Sequence, residues 1–270
     1  MAIHRTAIVE DGAILGADVV VGPFCIVGSE TKLGAGVCLH SHVVIAGKTE
    51  IGARTQVYSH AVLGGESQIR SNDPTDTRLS IGEDCVIREH VTMSLGSRKG
   101  HAVTKVGDRG YFMAYSHIGH DCAVGNDVTF ANGAQLGGHV VIGDGVILGG
   151  ISAVQQFGRI GRGAMLGGVS GCNEDIIPFG MAFGDHAKLA GLNIVGLKRR
   201  GVPRPSIHAL RAAYRAIFLG TEGSLAERAA KARESWGSIP EVAEVIDFIL
   251  APAKRPVCTA RAHATEHSDE

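Results

Sequence analysis

Residues 13–28 read AILGADVVVGPFCIVG: Leu15, Val21 and Val27 fall six apart, and Gly16, Gly22 and Gly28 follow them. Extended outward, the same spacing takes in Ile3, Val9, Leu15, Val21, Val27, Leu33, Leu39, Ile45, Ile51, Val57 and Leu63, eleven aliphatic residues in unbroken register. A helix repeats every ~3.6 residues and a strand every two, so a period of six with a glycine beside the aliphatic matches neither alone. It matches a short flat strand followed by a corner, with glycine supplying the turn dihedrals and the aliphatic pointing inward. Three such edges close a triangular coil of about 18 residues, and coils stack at the ~4.8 Å spacing of paired strands. The expected fold is mainly β, a parallel β-helix.

The register breaks at 64–80 and resumes at Ile81, Ile87 and Met93. It slips by one residue across a polar insertion at 94–105, then runs from Val106 through Phe112, Ile118 and onward to Leu166. Both breaks read as loops projecting from the prism, where binding residues concentrate. After Pro178 the period disappears. Helices are expected at 191–200 and 206–219, after the capping box Ser224-Leu225-Ala226-Glu227, and over 240–250. The division is therefore a β-helix over 1–185, a helical domain over 186–251 and a disordered tail over 252–270.

Composition agrees with many short strands and tight corners: 38 glycines, 5% aromatics and 44% hydrophobic residues. A net charge of −1 gives no polyelectrolyte signal for nucleic acid or an anionic membrane. No apolar run reaches the ~18–20 residues of a transmembrane segment and no signal peptide is evident, so the expected location is cytoplasmic. The six cysteines show no C-x-x-C spacing and read as buried reduced thiols.

Chemistry concentrates at 115–126, YSHIGHDCAVGN. Residues 18 apart lie one above the other in such a coil, so Gly138 sits over His120, with His139 beside it. A histidine can take a proton from a hydroxyl or amine while a glycine N–H one coil away faces a developing oxyanion, an arrangement suited to acyl transfer. Neighbours on a strand point to opposite faces, so Asp121 is not expected to orient His120. His42 and His60, also 18 apart, read as an exposed ladder without function.

The repeat resembles the hexapeptide-repeat acyltransferases, which implies a left-handed β-helix. More specific are His117-Ile118-Gly119-His120-Asp121-Cys122, Gly137-Gly138-His139, Gln156-Phe157, Gly167-Gly168, and Asn193-Ile194 through Gly196-Leu197-Lys198-Arg199-Arg200-Gly201. Together these resemble the UDP-N-acetylglucosamine 3-O-acyltransferase family, which opens lipid A synthesis. The resemblance implies His120 as general base and Gly138 N–H as oxyanion donor. It implies His117, His139, Gln68 and Gln156 at the sugar nucleotide, with Asn193, Arg199 and Arg200 holding its diphosphate end. The implied donor is a 3-hydroxyacyl chain on acyl carrier protein, met by a basic surface of Arg199, Arg200, Arg204, Arg211 and Arg215. Gly168, lacking a side chain at the position that measures the acyl group, implies a chain of about 12–14 carbons or more, each buried methylene contributing ~0.8 kcal/mol. A homotrimer with sites between prisms is implied, and no cofactor or metal.

Ile69, Ser71, Gln155 and Val195 depart from the family pattern at the acceptor, so an alternative acceptor is the 3-amino analogue, giving an amide. Three rivals share the scaffold. A later N-acyltransferase carries an extra N-terminal domain, whereas the repeat here starts at Ile3. A coenzyme A acetyltransferase lacks a reason for the Lys198-Arg199-Arg200 helix. A zinc carbonic anhydrase would use three histidines across a subunit boundary, and His117, His120 and His139 offer three.

Overall fold

The period of six is built as short strands, most of two residues, each ended by a corner. The computed structural model describes residues 1–71 and 73–261. The strands form three sheets of eleven, nine and eight strands, each strand pairing in parallel with the third one along the chain until the end of the largest sheet, where Met165–Leu166 pairs in parallel with the second one along, Gly180–Phe183. The result is a left-handed parallel β-helix followed by helices.

Register explains both breaks. Ile3 faces Val21 and Leu15 faces Leu33, 18 residues apart. Across the first insertion Val57 faces Ile87, 30 apart, and across the second Ile87 faces Phe112, 25 apart. The first insertion adds two whole hexads and preserves phase; the second adds seven residues and produces the one-residue slip.

One column of the interior runs Val21, Leu39, Val57, Ile87, Phe112, Phe130, Leu148 and Leu166, none more than 1% exposed. Each such side chain contributes about 1.5–3 kcal/mol by burial, so the stack holds the prism closed along its length. The corners need left-handed backbone, and many are not glycine: Phe24, His42, His60, His90 and Tyr115 all have φ between 57° and 64°. Their rings stack at 4.7–5.0 Å, so the His42–His60 ladder extends to five residues. On another corner Arg54 pairs with Asp84 and Arg109 with Asp127.

At the open end Gly180–Phe183 turns back and pairs antiparallel with Lys188–Leu192. That strand takes the first residues expected of a helix, so helix α1 spans Ile194–Arg199. Helix α2 covers Arg204–Tyr214 and runs into a π-helical turn, Arg215–Leu219. Helix α3, Leu225–Trp236, opens on the Ser224 capping box with Glu227, and α4 spans Pro240–Leu250.

The expectation of a free tail from Pro252 is corrected. Val257 bridges Asp175, Ala260 bridges Leu189, and Cys258 is fully buried. Exposed strand edges supply the backbone partners that local composition cannot reveal. The rest of the expected tail, 262–270, lies outside the described residues. All six cysteines are unpaired. Among the described residues no helix is long and apolar enough to cross a membrane.

Candidate active site

The strand His117–Ile118 ends in Gly119 and His120, and the chain turns at Asp121, whose φ is 59°. Alternation does not apply at a left-handed corner, and the two side chains converge: His120 Nδ1 lies 2.8 Å from Asp121 Oδ2. This reverses the expectation for Asp121. Its side chain is fully buried, and Oδ1 accepts from the N–H groups of Ser97 (3.0 Å) and His101 (2.8 Å) while Oδ2 accepts from Ser97 Oγ (2.6 Å). Burial raises the carboxyl's pKa, but the Ser97 and His101 donors and His120 outweigh it and hold Asp121 below its ordinary value. A carboxylate anion at Nδ1 requires a proton there, so the neutral ring carries its lone pair on Nε2.

Gly138 lies against that ring. A Cβ there would fall 2.4 Å from His120 Nε2, so only glycine lets the imidazole occupy its place. Among the described residues, the Gly138 N–H makes no hydrogen bond. The groove in front of both is about 320 Å³ and is lined by Gln68, Ser94, His117, His120, Gln135, Gly138 and Gln156 over a floor of Leu136, Ala153 and Val154. His117 Nδ1 lies 2.7 Å from Thr92 Oγ1; burial lowers its pKa, and His120 adds to the effect.

His139 stands behind the groove. It meets the His120 ring edge-on at 5.0 Å, stacks on Phe157 at 4.5 Å, and its Nε2 lies 3.8 Å from Asp121. Burial lowers its pKa while Asp121 pulls the other way. Lys254 caps the Phe157 ring, and Arg255 bonds to Gln156 O (2.8 Å) and Gln155 Oε1 (2.9 Å). Of the residues departing from the family pattern, Ser71 receives Lys99 Nζ at 3.3 Å and Val195 is exposed.

One chain therefore gathers Gln68, Gln156, His117, His120 and Gly138 around a groove, with His139 in support. The other candidate residues sit elsewhere. His120's corner joins the nine- and eight-stranded sheets, whereas Asn193 and Arg200 hold the corner between the eight- and eleven-stranded sheets. There Asn193 caps α1 through Gly196 N (2.9 Å) and bonds Gly163 O (3.0 Å), and Arg200 bonds Gly145 O. Arg199 is exposed beside them. Gly168 lies on the third corner, exposed, with no atom but Gly150's backbone within 4 Å of an added Cβ. Sequence reasoning missed Asp121, Ser94, Ser97 and Gln135; the six-residue corner spacing was the signal that could have found Asp121.

His120, Asp121 and His139 bring ligand atoms within 4.8 Å of one another, the metal-capable group among the described residues. His117 is outside it, so the three histidines of a zinc site are not assembled in one chain, and Asp121 Oδ2 is already engaged by Ser97 and His120.

A family model described as UDP N-acetylglucosamine O-acyltransferase, domain 2, matches residues 175–258. Acyl-[acyl-carrier-protein]--UDP-N-acetylglucosamine O-acyltransferase of Sinorhizobium fredii is 47% identical over 253 residues, 94% of this chain and 93% of the relative. The protein of the same name from Bartonella henselae is 49% identical over 259 residues, 96% and 94% of the two chains. The crystal structure of LpxA from Acinetobacter baumannii superposes with a TM-score of 0.92 at 37% identity, covering 97% of this chain and all of that one.

Proposed function

Because the chain belongs to the acyl-[acyl-carrier-protein]--UDP-N-acetylglucosamine O-acyltransferase family, we propose that its His120–Asp121 pair and Gly138 amide carry the acyl transfer that opens lipid A synthesis. The observation that supports this most is the buried carboxylate on Nδ1 of a histidine whose ring lies against Gly138, a groove-lining residue whose N–H makes no hydrogen bond among the described residues.

The donor is a 3-hydroxyacyl thioester on acyl carrier protein, and the acceptor is the 3-hydroxyl of UDP-N-acetylglucosamine. His120 Nε2 takes the hydroxyl proton as the oxygen attacks the thioester carbonyl, and the Gly138 N–H meets the oxyanion of the tetrahedral intermediate. Collapse breaks the C–S bond, and the imidazolium returns its proton to the departing thiolate. A base of this kind contributes ~10²- to 10⁴-fold and one oxyanion donor ~10²- to 10³-fold.

His117, Gln68 and Gln156 hold the sugar, with His139 bracing the His120 side. Asn193, Arg199 and Arg200 hold the diphosphate, Arg as a planar fork suited to phosphate. They stand on another corner, so the assembly that completes the site is a homotrimer in which a neighbouring prism presents them. Arg211 and Arg215, with Arg261, line a depression of about 690 Å³ floored by Leu189, Leu192 and Tyr214. This surface suits an acidic carrier. Gly168 leaves room for a long acyl chain. Donor and acceptor are soluble molecules and the reaction is placed in the cytoplasm.

A second acceptor is favoured by one observation: among the described residues no carboxylate lines the groove. A 3-amino analogue bound there is not held as ammonium, and its free amine is a competent nucleophile. The test is an acyl-transfer assay with 3-hydroxyacyl carrier protein and each acceptor. His120→Ala is expected to lower kcat at least ~10²-fold with the fold unchanged; wild-type turnover in that variant would remove His120 as the base. A strong preference for the hydroxyl sugar would remove the amide reading.

A further inference from the structure

The middle of loop 94–105 is folded around a single carboxylate. Ser97 is only 2% exposed and gives Asp121 both its N–H, 3.0 Å from Oδ1, and its hydroxyl, 2.6 Å from Oδ2. His101 N–H adds a third donor at 2.8 Å, and Thr104 Oγ1 accepts the Asp121 N–H at 2.8 Å. Gly100 passes so near that a Cβ would fall 2.4 Å from Oδ2. The residues between the strands Thr92–Ser94 and Val103–Val106 carry the seven-residue excess over the 18-residue coil, an excess that closing the prism does not require. Of the buried polar residues over 94–105, Ser97 and Thr104 bond Asp121.

We propose that Ser97 is a positioning residue of the acyl transfer: its hydroxyl occupies one lone pair of Asp121 Oδ2, leaving the other to orient His120 Nδ1–H and aim Nε2 at the acceptor. This rests on the His120–Asp121 reading above. A carboxylate oxygen has two in-plane lone pairs. With one occupied, the carboxylate has a single orientation that serves the imidazole. Without the hydroxyl, the carboxylate is freer to turn and Oδ2 is more basic.

The other ionisable groups facing this pair are His139 at 3.8 Å, His101 edge-on to His139, His117 in the groove, Lys254 over Phe157, and Cys122, whose thiol burial pushes up to about 12. Ser97 carries no charge, so its loss leaves all of these in place.

The experiment measures kcat and KM against pH for wild type, Ser97→Ala and Ser97→Thr, with acyl carrier protein thioester and UDP-N-acetylglucosamine. Ser97→Ala is expected to lower kcat about 10-fold with KM for the sugar nucleotide within about twofold. The acid limb of its profile moves to higher pH, because a more basic Oδ2 holds the imidazolium proton more tightly. Ser97→Thr, which keeps the hydroxyl, restores both. A folded Ser97→Ala with unchanged kcat and acid limb overturns the proposal, as does a loss of thermal stability with the acid limb unmoved. If Ser97→Ala does not fold, Ser97→Cys, a weak donor of similar shape, gives the same discrimination. Asp121→Asn run in parallel separates the two readings: wild-type rate there means the pair itself is wrong, whereas a slow Asp121→Asn beside an unaltered Ser97→Ala removes only Ser97.

Discussion

At Gly138 the missing side chain lets the His120 ring occupy the volume a Cβ would need, and the residue lines the groove with an N–H that makes no hydrogen bond among the described residues. Gly138→Ala is therefore expected to displace the imidazole and disturb the proposed oxyanion donor together. We expect kcat to fall by at least ~10²-fold while circular dichroism shows the same β-helix; a near-normal rate would mean that neither group is placed as described. The vertical pairing of these two residues was legible beforehand, since 18-residue stacking follows from the hexad alone. Asp121 was not, because strand alternation was applied to a residue whose φ of 59° places it on a corner. The hexad locates corners as reliably as core positions: Asp121 follows His120 as His139 follows Gly138, both left-handed.

Elements whose partners are distant in sequence were the ones misread. Residues 252–261 carry prolines and charges that read as tail, yet Cys258 N–H bonds Asp175 O and Arg261 N–H bonds Leu189 O, far back along the chain. The strand Lys188–Leu192 was likewise hidden, because antiparallel pairing with Gly180–Phe183 overrode the helical pattern of its residues. By contrast, the capping box at Ser224 and helix α4 are local signals, and both were readable. The returning segment also touches the groove wall through Arg255 and Gln156. Arg255→Ala is expected to raise KM for the sugar nucleotide about 3- to 10-fold, the loss of one or two hydrogen bonds positioning a binding residue. kcat should hold; a changed kcat with constant KM would place Arg255 in the chemistry instead.

The residues of the proposed site are distributed over all three corners of the prism, His120 on one, Arg199 and Arg200 on another and Gly168 on the third. The proposed trimer would bring these corners together between neighbouring copies, and mixing tests it. His120→Ala and Arg199→Glu chains, each inactive alone, should on co-refolding recover activity toward about a quarter of wild type, the share of boundaries that pair an intact base with an intact arginine in a randomly mixed trimer. No recovery would mean that both residues act within one chain. Stacking has one more implication. Since each storey of the column without an insertion is an 18-residue turn resting on the next, its height is countable: removing residues 22–39 would lower the tower by one floor, about 4.8 Å, and leave the floors that hold the groove intact. Shortening by a length that is not a whole ring would swing everything above it around the axis, facing the base into the wrong street.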